Sequence, residues 1–93
     1  MKLFIIKIDK ITENKNITID LRGNNVKNYK KEIYIANYGT LEIKDSGKGE
    51  EGSKTYGKIE NTGGTAITNN VSGILEINNA TITASSTGIA NNN

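Results

Sequence analysis

The sequence GILEI at residues 73–77 repeats the sequence GTLEI at residues 39–43, at an offset of 34 residues. A second match, TGIANN at residues 87–92 against TAITNN at residues 65–70, has an offset of 22 residues. The two offsets agree if one repeat carries an insertion of about twelve residues. The segment 45–58, DSGKGEEGSKTYGK, has four glycines, six charged residues and no aliphatic residue, which is typical of an exposed loop. The sequence therefore predicts a repeat of about 22 residues with a loop inserted at 45–58.

Four apolar positions, here called core slots, recur in each repeat once the loop is removed. The first two are separated by one residue, which is the strand spacing that places both side chains on one face. The predicted core slots are Ile19, Leu21, Val26 and Ile33 in the first repeat, Leu41, Ile43, Ile59 and Ile67 in the second, and Leu75, Ile77, Ile82 and Ile89 in the third. Counting back 22 residues from the first repeat gives Phe4 and Ile11, which are again apolar. Such repeats bury their apolar faces by stacking on one another.

Composition favours the same class of fold. The chain has fifteen isoleucines, which suit pleated strands, together with ten glycines, fourteen asparagines and no proline. We predict an all-β, right-handed single-stranded parallel β-helix (a solenoid) of about three and a half coils. It forms one domain, 1–93, with a partial first coil at 1–15, coil 1 at 16–37, coil 2 at 38–70 and coil 3 at 71–93. An antiparallel sandwich is the alternative, and it predicts strands of independent pattern rather than core slots at a fixed offset.

The run from Gly64 to Asn93, GTAITNNVSGILEINNATITASSTGIANNN, resembles the degenerate repeats of bacterial pectin-lyase-like surface β-helices. In that family a run of the form G-aliphatic-x-N…G-x-L-x-I-x-x-x-x-I recurs once per coil, and NITIDLRGNNV at 16–26 resembles a first coil. The resemblance implies the fold and an extracellular or cell-surface location. It implies no single activity, because the family includes polysaccharide lyases, adhesins and structural stalks. The chain departs from the family in its short length and in lacking an amphipathic capping helix, so we expect a fragment of a longer β-helix.

Other functional classes find little support in the residue types present. The chain has no cysteine and no histidine, which excludes disulfides and thiolate metal sites and removes the commonest general base. Its net charge of +2 comes from interspersed charges, so we predict no nucleic-acid partner. We also predict no cofactor and no membrane span, since no segment approaches the ~20 apolar residues that a span needs. Residues 1–8 contain an apolar run but no clear signal peptide, because Lys7 and Asp9 interrupt it.

Between the first two core slots of each coil, one residue faces outward. The repeat predicts a column of carboxylates at Asp20, Glu42 and Glu76. The neighbouring column holds Arg22, Lys44 and Asn78. We interpret the two columns as a solvated, charge-compensated face. The alternative, implied by resemblance to pectate-lyase-like enzymes, is a cleft in which Asp20 and Glu42 bind Ca²⁺ and Arg22 or Lys44 acts as a base.

The inserted loop is the leading functional candidate, because loops on rigid scaffolds carry function disproportionately. Its side chains and nearby tyrosines, which can stack on a sugar or anchor a partner, form a predicted contact surface: Tyr34, Tyr38, Lys48, Glu50, Glu51, Lys54 and Tyr56. Asparagines follow the last core slot of several coils, and we predict that they form inward hydrogen-bonded ladders. They are Asn14, Asn37, Asn69, Asn70, Asn91 and Asn92.

These observations favour a non-catalytic scaffold, displayed on a surface or secreted, that supports adhesion or carbohydrate contact. Two alternatives from other classes remain open. One is a remnant of a polysaccharide lyase that acts with Ca²⁺. The other is a self-stacking structural element, which makes an end-to-end homo-oligomer through unpaired strand edges. The expected partners are therefore a polysaccharide, a host surface or a second copy of the chain.

Overall fold

The computed structural model describes residues 10–29 and 32–92, which contain strands and turns but no helix. The predicted core slot at Phe4 and the apolar run at 1–8 lie outside these residues. The described residues form ten strands: β1 (Lys10–Ile11), β2 (Asn16–Asp20), β3 (Val26–Asn28), β4 (Ile33–Asn37), β5 (Thr40–Lys44), β6 (Lys58–Asn61), β7 (Thr65–Asn69), β8 (Ile74–Asn78), β9 (Thr81–Ala84) and β10 (Ile89–Asn91).

The strands form three parallel sheets with the orders β1-β4-β7-β10, β2-β5-β8 and β3-β6-β9. Each of the strands β1 to β7 pairs with the strand three places further along the chain. We call β2–β4 the first round, β5–β7 the second round and β8–β10 the third round. The all-β class and the parallel pairing were predicted and are confirmed. The antiparallel sandwich is wrong for residues 10–29 and 32–92, where the one antiparallel bridge joins Lys48 and Thr55 within a loop.

Between the second and third rounds, the strands pair at the offsets that the repeat predicts. Leu41 pairs with Leu75 and Ile43 with Ile77, 34 residues later. The other two pairs of core slots in these rounds are Ile59 with Ile82 and Ile67 with Ile89. β-branched and leucine side chains at alternate positions point to one face of each strand, which gives every sheet an apolar inner surface.

The predicted register of the first round is wrong by two residues in two of its strands. In β2, Ile17 pairs with Leu41 and Ile19 with Ile43, whereas the repeat placed Ile19 and Leu21 there. Ile17, Ile19 and Leu21 alternate along the strand, so a shift of two residues keeps the same face inward. Leu21 is fully buried beyond the end of β2, and the actual register puts it at the corner of the round.

The same ambiguity affects β4, where Ile33 and Ile35 both lie on one side of the strand. Ile35 pairs with Ile67 and is fully buried, whereas the predicted core slot, Ile33, pairs with Thr65 and is 44% exposed. The prediction for Ile33 is therefore wrong. Ile89, in the third round, is also exposed, because β10 has a neighbour on one side only among the described strands.

The core runs between the three sheets, and it is deepest in the second round. Its buried hydrophobic residues are Ile11, Leu21, Val26, Tyr34, Ile35, Leu41, Ile43, Ile59, Ala66 and Ile67. Core slots at the two ends of the stack are partly buried and pack against this cluster: Ile19, Leu75, Ile77 and Ile82. Burial therefore decreases from the second round towards the third.

An asparagine ladder joins the rounds where the four-stranded sheet turns into the next sheet. Asn37 Nδ2 donates to Asn69 Oδ1 at 2.9 Å, and Asn69 Nδ2 donates to Asn91 Oδ1 at 3.2 Å. A second pair, Asn92 Nδ2 to Asn70 Oδ1, lies beside it at 3.3 Å. The Asn37–Asn69–Asn91 ladder confirms the prediction for these three asparagines. Asn70 and Asn92 form a hydrogen bond, but it is exposed to solvent, so their prediction as inward side chains is wrong. The prediction for Asn14 is wrong: it lies in a turn with φ of 70°, and Ile11 takes the position opposite Asn37.

Candidate functional site

The outward face of the β2-β5-β8 sheet is arranged differently from the predicted columns. Because β2 is shifted by two residues, Thr18 is the residue in line with Glu42 and Glu76. Asp20 pairs instead with Lys44, and Lys44 pairs with Asn78. The predicted column of three carboxylates is therefore wrong, and one of its members lies beside a cation.

The two stacked glutamates are held by neutral donors. Asn78 Nδ2 donates to Glu76 Oε2 at 2.7 Å and to Glu42 Oε2 at 3.1 Å, and Thr18 Oγ1 donates to Glu42 Oε1 at 3.4 Å. A shared amide bridge offsets the repulsion between like charges on neighbouring strands. Within residues 10–29 and 32–92, no group of three or more acidic side chains is placed to hold a metal ion. The geometry shows a polar surface on which Glu42 and Glu76 share a hydrogen-bond donor.

Asp20 and Arg22 lie at the turn after β2, and this turn contacts Ser46 in the second round. The Oδ1 atom of Asp20 accepts hydrogen bonds from the Ser46 backbone N at 2.9 Å, the Arg22 backbone N at 3.0 Å and Ser46 Oγ at 3.2 Å. The Ser46 backbone N–H is the largest cause that holds the pKa of Asp20 below its ordinary value of 3.8, although partial desolvation opposes it. Arg22 has a φ of 50° and lies outside the strand, so its position in the predicted cationic column is wrong.

Residues 45–57, between β5 and β6, fold into a short hairpin. Lys48 and Thr55 exchange two backbone hydrogen bonds of 2.8 Å, and the Ser53 backbone N donates to the Glu50 backbone O at 3.0 Å across the tip. We call this segment the hairpin. It is therefore an ordered projection, with its own backbone pairing, rather than an irregular loop.

A buried carboxylate fastens the base of the hairpin. Asp45 Oδ1 accepts from the backbone N of Gly23 at 2.8 Å and of Gly47 at 2.9 Å, and its Oδ2 accepts from the backbone N of Gly57 at 2.6 Å. The residue is only 3% exposed. One side chain thus joins the first residues of the hairpin, its last residue and the turn of the preceding round. We call this group of contacts the Asp45 anchor.

Glycines make the close approach at the base of the hairpin possible. A Cβ atom on Gly23, where φ is 77°, would lie 2.5 Å from Lys48 Cβ and 2.8 Å from the Thr55 carbonyl oxygen. A Cβ atom on Gly57 would overlap the backbone carbonyl group of Asn24. The hairpin therefore rests directly on the backbone of the preceding turn, and residues 21–24 form its seat.

The three tyrosines of the predicted contact surface lie in different parts of the structure. Tyr34 is buried at 3% exposure, so its prediction as a surface contact is wrong. Tyr38 lies at another corner, where its ring is 5.3 Å from Lys10 Nζ, and it lines a depression with Lys10, Thr12 and Glu13. Tyr56 is 54% exposed and stands at the end of the hairpin. The three tyrosines therefore do not form one aromatic surface.

The two lysines of the hairpin, Lys48 and Lys54, have partners within the chain. Lys48 Nζ donates to Asn24 Oδ1 at 3.3 Å. Lys54 Nζ donates to the Ser46 backbone O at 3.1 Å and lies 3.7 Å from Glu51 Oε2. Glu50 and Glu51 are exposed at the tip. The ammonium groups of Lys48 and Lys54 therefore stabilise the hairpin and its contact with the preceding turn, and they are less available to a charged ligand.

Tyr56 borders a shallow depression next to the hairpin. Its other lining residues are Asn79 and Thr81 in the third round, and its volume is about 320 Å³. The Tyr56 ring and the Lys54 side chain flank Gly47, since a Cβ atom there would lie 3.0 Å from both. An exposed aromatic face thus adjoins an amide and a hydroxyl group. The prediction from the sequence did not include Asn79 and Thr81, because only the pairing of β6 with β9 brings them next to Tyr56.

No helix within the described ranges is long and apolar enough to cross a membrane. Comparison with known proteins finds no matching family model, no matching curated protein and no matching solved structure.

Proposed function

We propose that the chain forms a right-handed parallel β-helix of the pectin-lyase-like kind and serves as a non-catalytic scaffold, secreted or displayed at a cell surface. In this proposal the hairpin and Tyr56 contact a polysaccharide. The Asp45 anchor is the observation that carries it, because one buried carboxylate holds a projection with no part in the core through three hydrogen bonds to backbone N–H groups. Loops fixed on a rigid support are where binding residues concentrate.

The chemistry around Tyr56 supports a sugar as the ligand. A tyrosine ring offers a flat apolar face with a polar edge, and sugar rings present a C–H face surrounded by hydroxyl groups. Asn79 and Thr81 border the same depression and offer an amide and a hydroxyl group for those hydroxyls. Lys48 and Lys54 are occupied by partners within the chain, so ring stacking rather than charge pairing is the main expected contact.

Titration calorimetry with a neutral β-glucan oligosaccharide and with an oligogalacturonate tests this proposal. We expect binding of at least one of them, and a loss of about tenfold in affinity in Y56A, since stacking contributes on the order of 1 kcal/mol. Y38A is the matched control, because Tyr38 is also an exposed tyrosine but lies at a different corner. Equal losses in Y56A and Y38A, or no heat with either sugar, would overturn the proposal.

A further inference from the structure

The third round ends in an open surface made of strand edges and core side chains. Within the described residues, β8, β9 and β10 each pair with one neighbour only. Leu75 and Ile77 are partly exposed, although Leu41 and Ile43, their partners in the second round, are fully buried. A depression of about 250 Å³ opens there, and it is lined by Leu75, Ile77, Ile89, Asn69 and Asn91. This surface offers both apolar area and unpaired backbone groups.

At the opposite end of the same sheet, β2 presents a matching edge. Among the described strands it pairs with β5 alone, and its inward side chains, Ile17 and Ile19, are only partly buried. The two exposed edges therefore belong to one sheet, run in the same direction and carry aliphatic side chains on the same face. An edge that resembles the next round is a template for parallel pairing.

We propose that β8 of one copy pairs with β2 of a second copy, in parallel and in the register that β2 keeps with β5. That register places Leu75 against Ile17 and Ile77 against Ile19 of the second copy, so the core continues across the interface.

The outward residues of the two edges are also complementary in this register. Glu76 faces Thr18 of the second copy, just as Glu42 faces Thr18 within one chain. Asn78 faces Asp20 of the second copy, so a neutral side chain adjoins that carboxylate. No like charges meet in either pair. A symmetric pairing of two β8 edges would bring the Glu76 carboxylates of both copies to the interface, which is less favourable. Charge and side-chain chemistry therefore select head-to-tail association of this chain.

Single cysteines can report the pairing directly, because the natural sequence has none. In T18C and E76C the new thiol replaces an exposed, outward side chain at the two ends of the sheet. Within one chain β5 separates these positions, so their Cα atoms are ~9–10 Å apart and beyond the reach of a disulfide. Equal amounts of the two variants are mixed at high concentration and oxidised. We expect the T18C–E76C heterodimer to exceed both homodimers several-fold.

K44C is the matched control, since Lys44 is exposed and outward but lies on the central strand of the sheet. Mixtures of K44C with E76C should give only background cross-linking. Sedimentation velocity of the unmodified chain should show a mass that increases with concentration. A prevalent E76C homodimer, a T18C–E76C yield no greater than that of K44C with E76C, or a monomer at every concentration would each overturn the proposal.

Discussion

Three consecutive corners lie before β5, after β5 and after β6. The first and last have an asparagine, and the middle one has an aspartate. In all three, the side-chain Oδ1 accepts the backbone N–H of a glycine two residues later, which is the turn motif that Asn and Asp share. The pairs are Asn37 with Gly39, Asp45 with Gly47 and Asn61 with Gly63. The corners differ in what the rest of each side chain does, because an amide can donate and an ionised carboxylate can only accept.

The amide connects one round to the next. Asn37 Nδ2 donates to Asn69 Oδ1 and to the Ile74 carbonyl oxygen, so the same residue type can repeat in every round. The carboxylate of Asp45 finds its other donors in Gly23 and Gly57, across the base of the hairpin. The Asn37 corner therefore extends the stack and the aspartate corner closes a projection, whereas Asn61 Nδ2 donates to the Thr65 carbonyl oxygen within its own round. Exchanging the two residue types tests this difference.

The largest effect is expected for N37D, which puts a carboxylate into the ladder. In the natural sequence Asn37 is fully buried, and its Nδ2 donates to two oxygens, one on Asn69 and one on Ile74. An oxygen in its place would have no donor, so we expect a loss of about 3 kcal/mol or more in the free energy of unfolding. The loss should diminish as the pH falls towards about 4, the ordinary pKa of an aspartate, because the buried carboxyl group facing two oxygens has a raised pKa in the folded state and can donate once protonated. Urea denaturation at several pH values measures both quantities.

N91D is the matched control for that variant. Asn91 belongs to the same ladder but is exposed, and its Oδ1 only accepts, from Asn69 Nδ2. A carboxylate keeps this role, so we expect a change of no more than about 0.5 kcal/mol. Equal destabilisation by N37D and N91D would contradict the idea that the donor of the amide matters.

An intermediate effect is expected for D45N, the reverse exchange at the hairpin corner. The amide keeps one acceptor oxygen, and its NH₂ group would point at a backbone N–H of Gly23 and Gly47 or of Gly57. At least one buried donor therefore loses its acceptor, which costs about 1–3 kcal/mol. We expect faster amide hydrogen exchange at Gly23 and Gly57, measured by NMR, with much smaller changes in β7.

E51Q removes a carboxylate from the same hairpin without touching the Asp45 anchor. The Glu51 side chain is 95% exposed and makes one ion pair of 3.7 Å with Lys54. Its removal should change the free energy of unfolding by less than about 0.5 kcal/mol. If D45N were as mild as E51Q, the anchor would have no part in holding the hairpin.

The same comparison explains which parts of the fold could be predicted. Repeated features, such as the core slots of the last two rounds and the Asn37–Asn69–Asn91 ladder, recur at a countable offset in the sequence. The first round was registered wrongly because Ile17, Ile19 and Leu21 permit two pairings that bury the same face. A periodic pattern fixes the inward face of a strand more firmly than its register.

The site was harder to predict because its decisive residues occur once. Asp45 was recognised only as the beginning of a loop, and nothing in a single charged residue shows that Gly23 and Gly57 lie within hydrogen-bonding distance. The only signal in the sequence is that residues 23 and 57 are glycines. The structure gives the reason, because neither position has room for a Cβ atom. The residue types alone predict one contact surface from the tyrosines, but nothing in them shows that Tyr38 and Tyr56 lie at different corners.

The smallest effect is expected at Asp20, where the same motif occurs in the first round with greater exposure to solvent. Its Oδ1 accepts from the Arg22 backbone N two residues later and from Ser46. Because all three hydrogen bonds use one oxygen, D20N can keep them and lose mainly the charge beside Lys44. At neutral pH we therefore expect D20N to be close to the natural chain in stability.

The difference between them should appear in acid. The pKa of Asp20 is lowered in the folded state from 3.8, so its charge stabilises the fold above that value. This contribution is lost as the pH falls through the lowered pKa, where the folded state must also take up the proton. Urea denaturation from pH 7 to about pH 2 should show a smaller loss of stability in D20N than in the natural chain. Identical acid profiles would mean that the charge of Asp20 does not stabilise its turn and that a neutral acceptor serves equally well there. Of the two aspartate corners, only the buried one at Asp45 would then depend on a carboxylate.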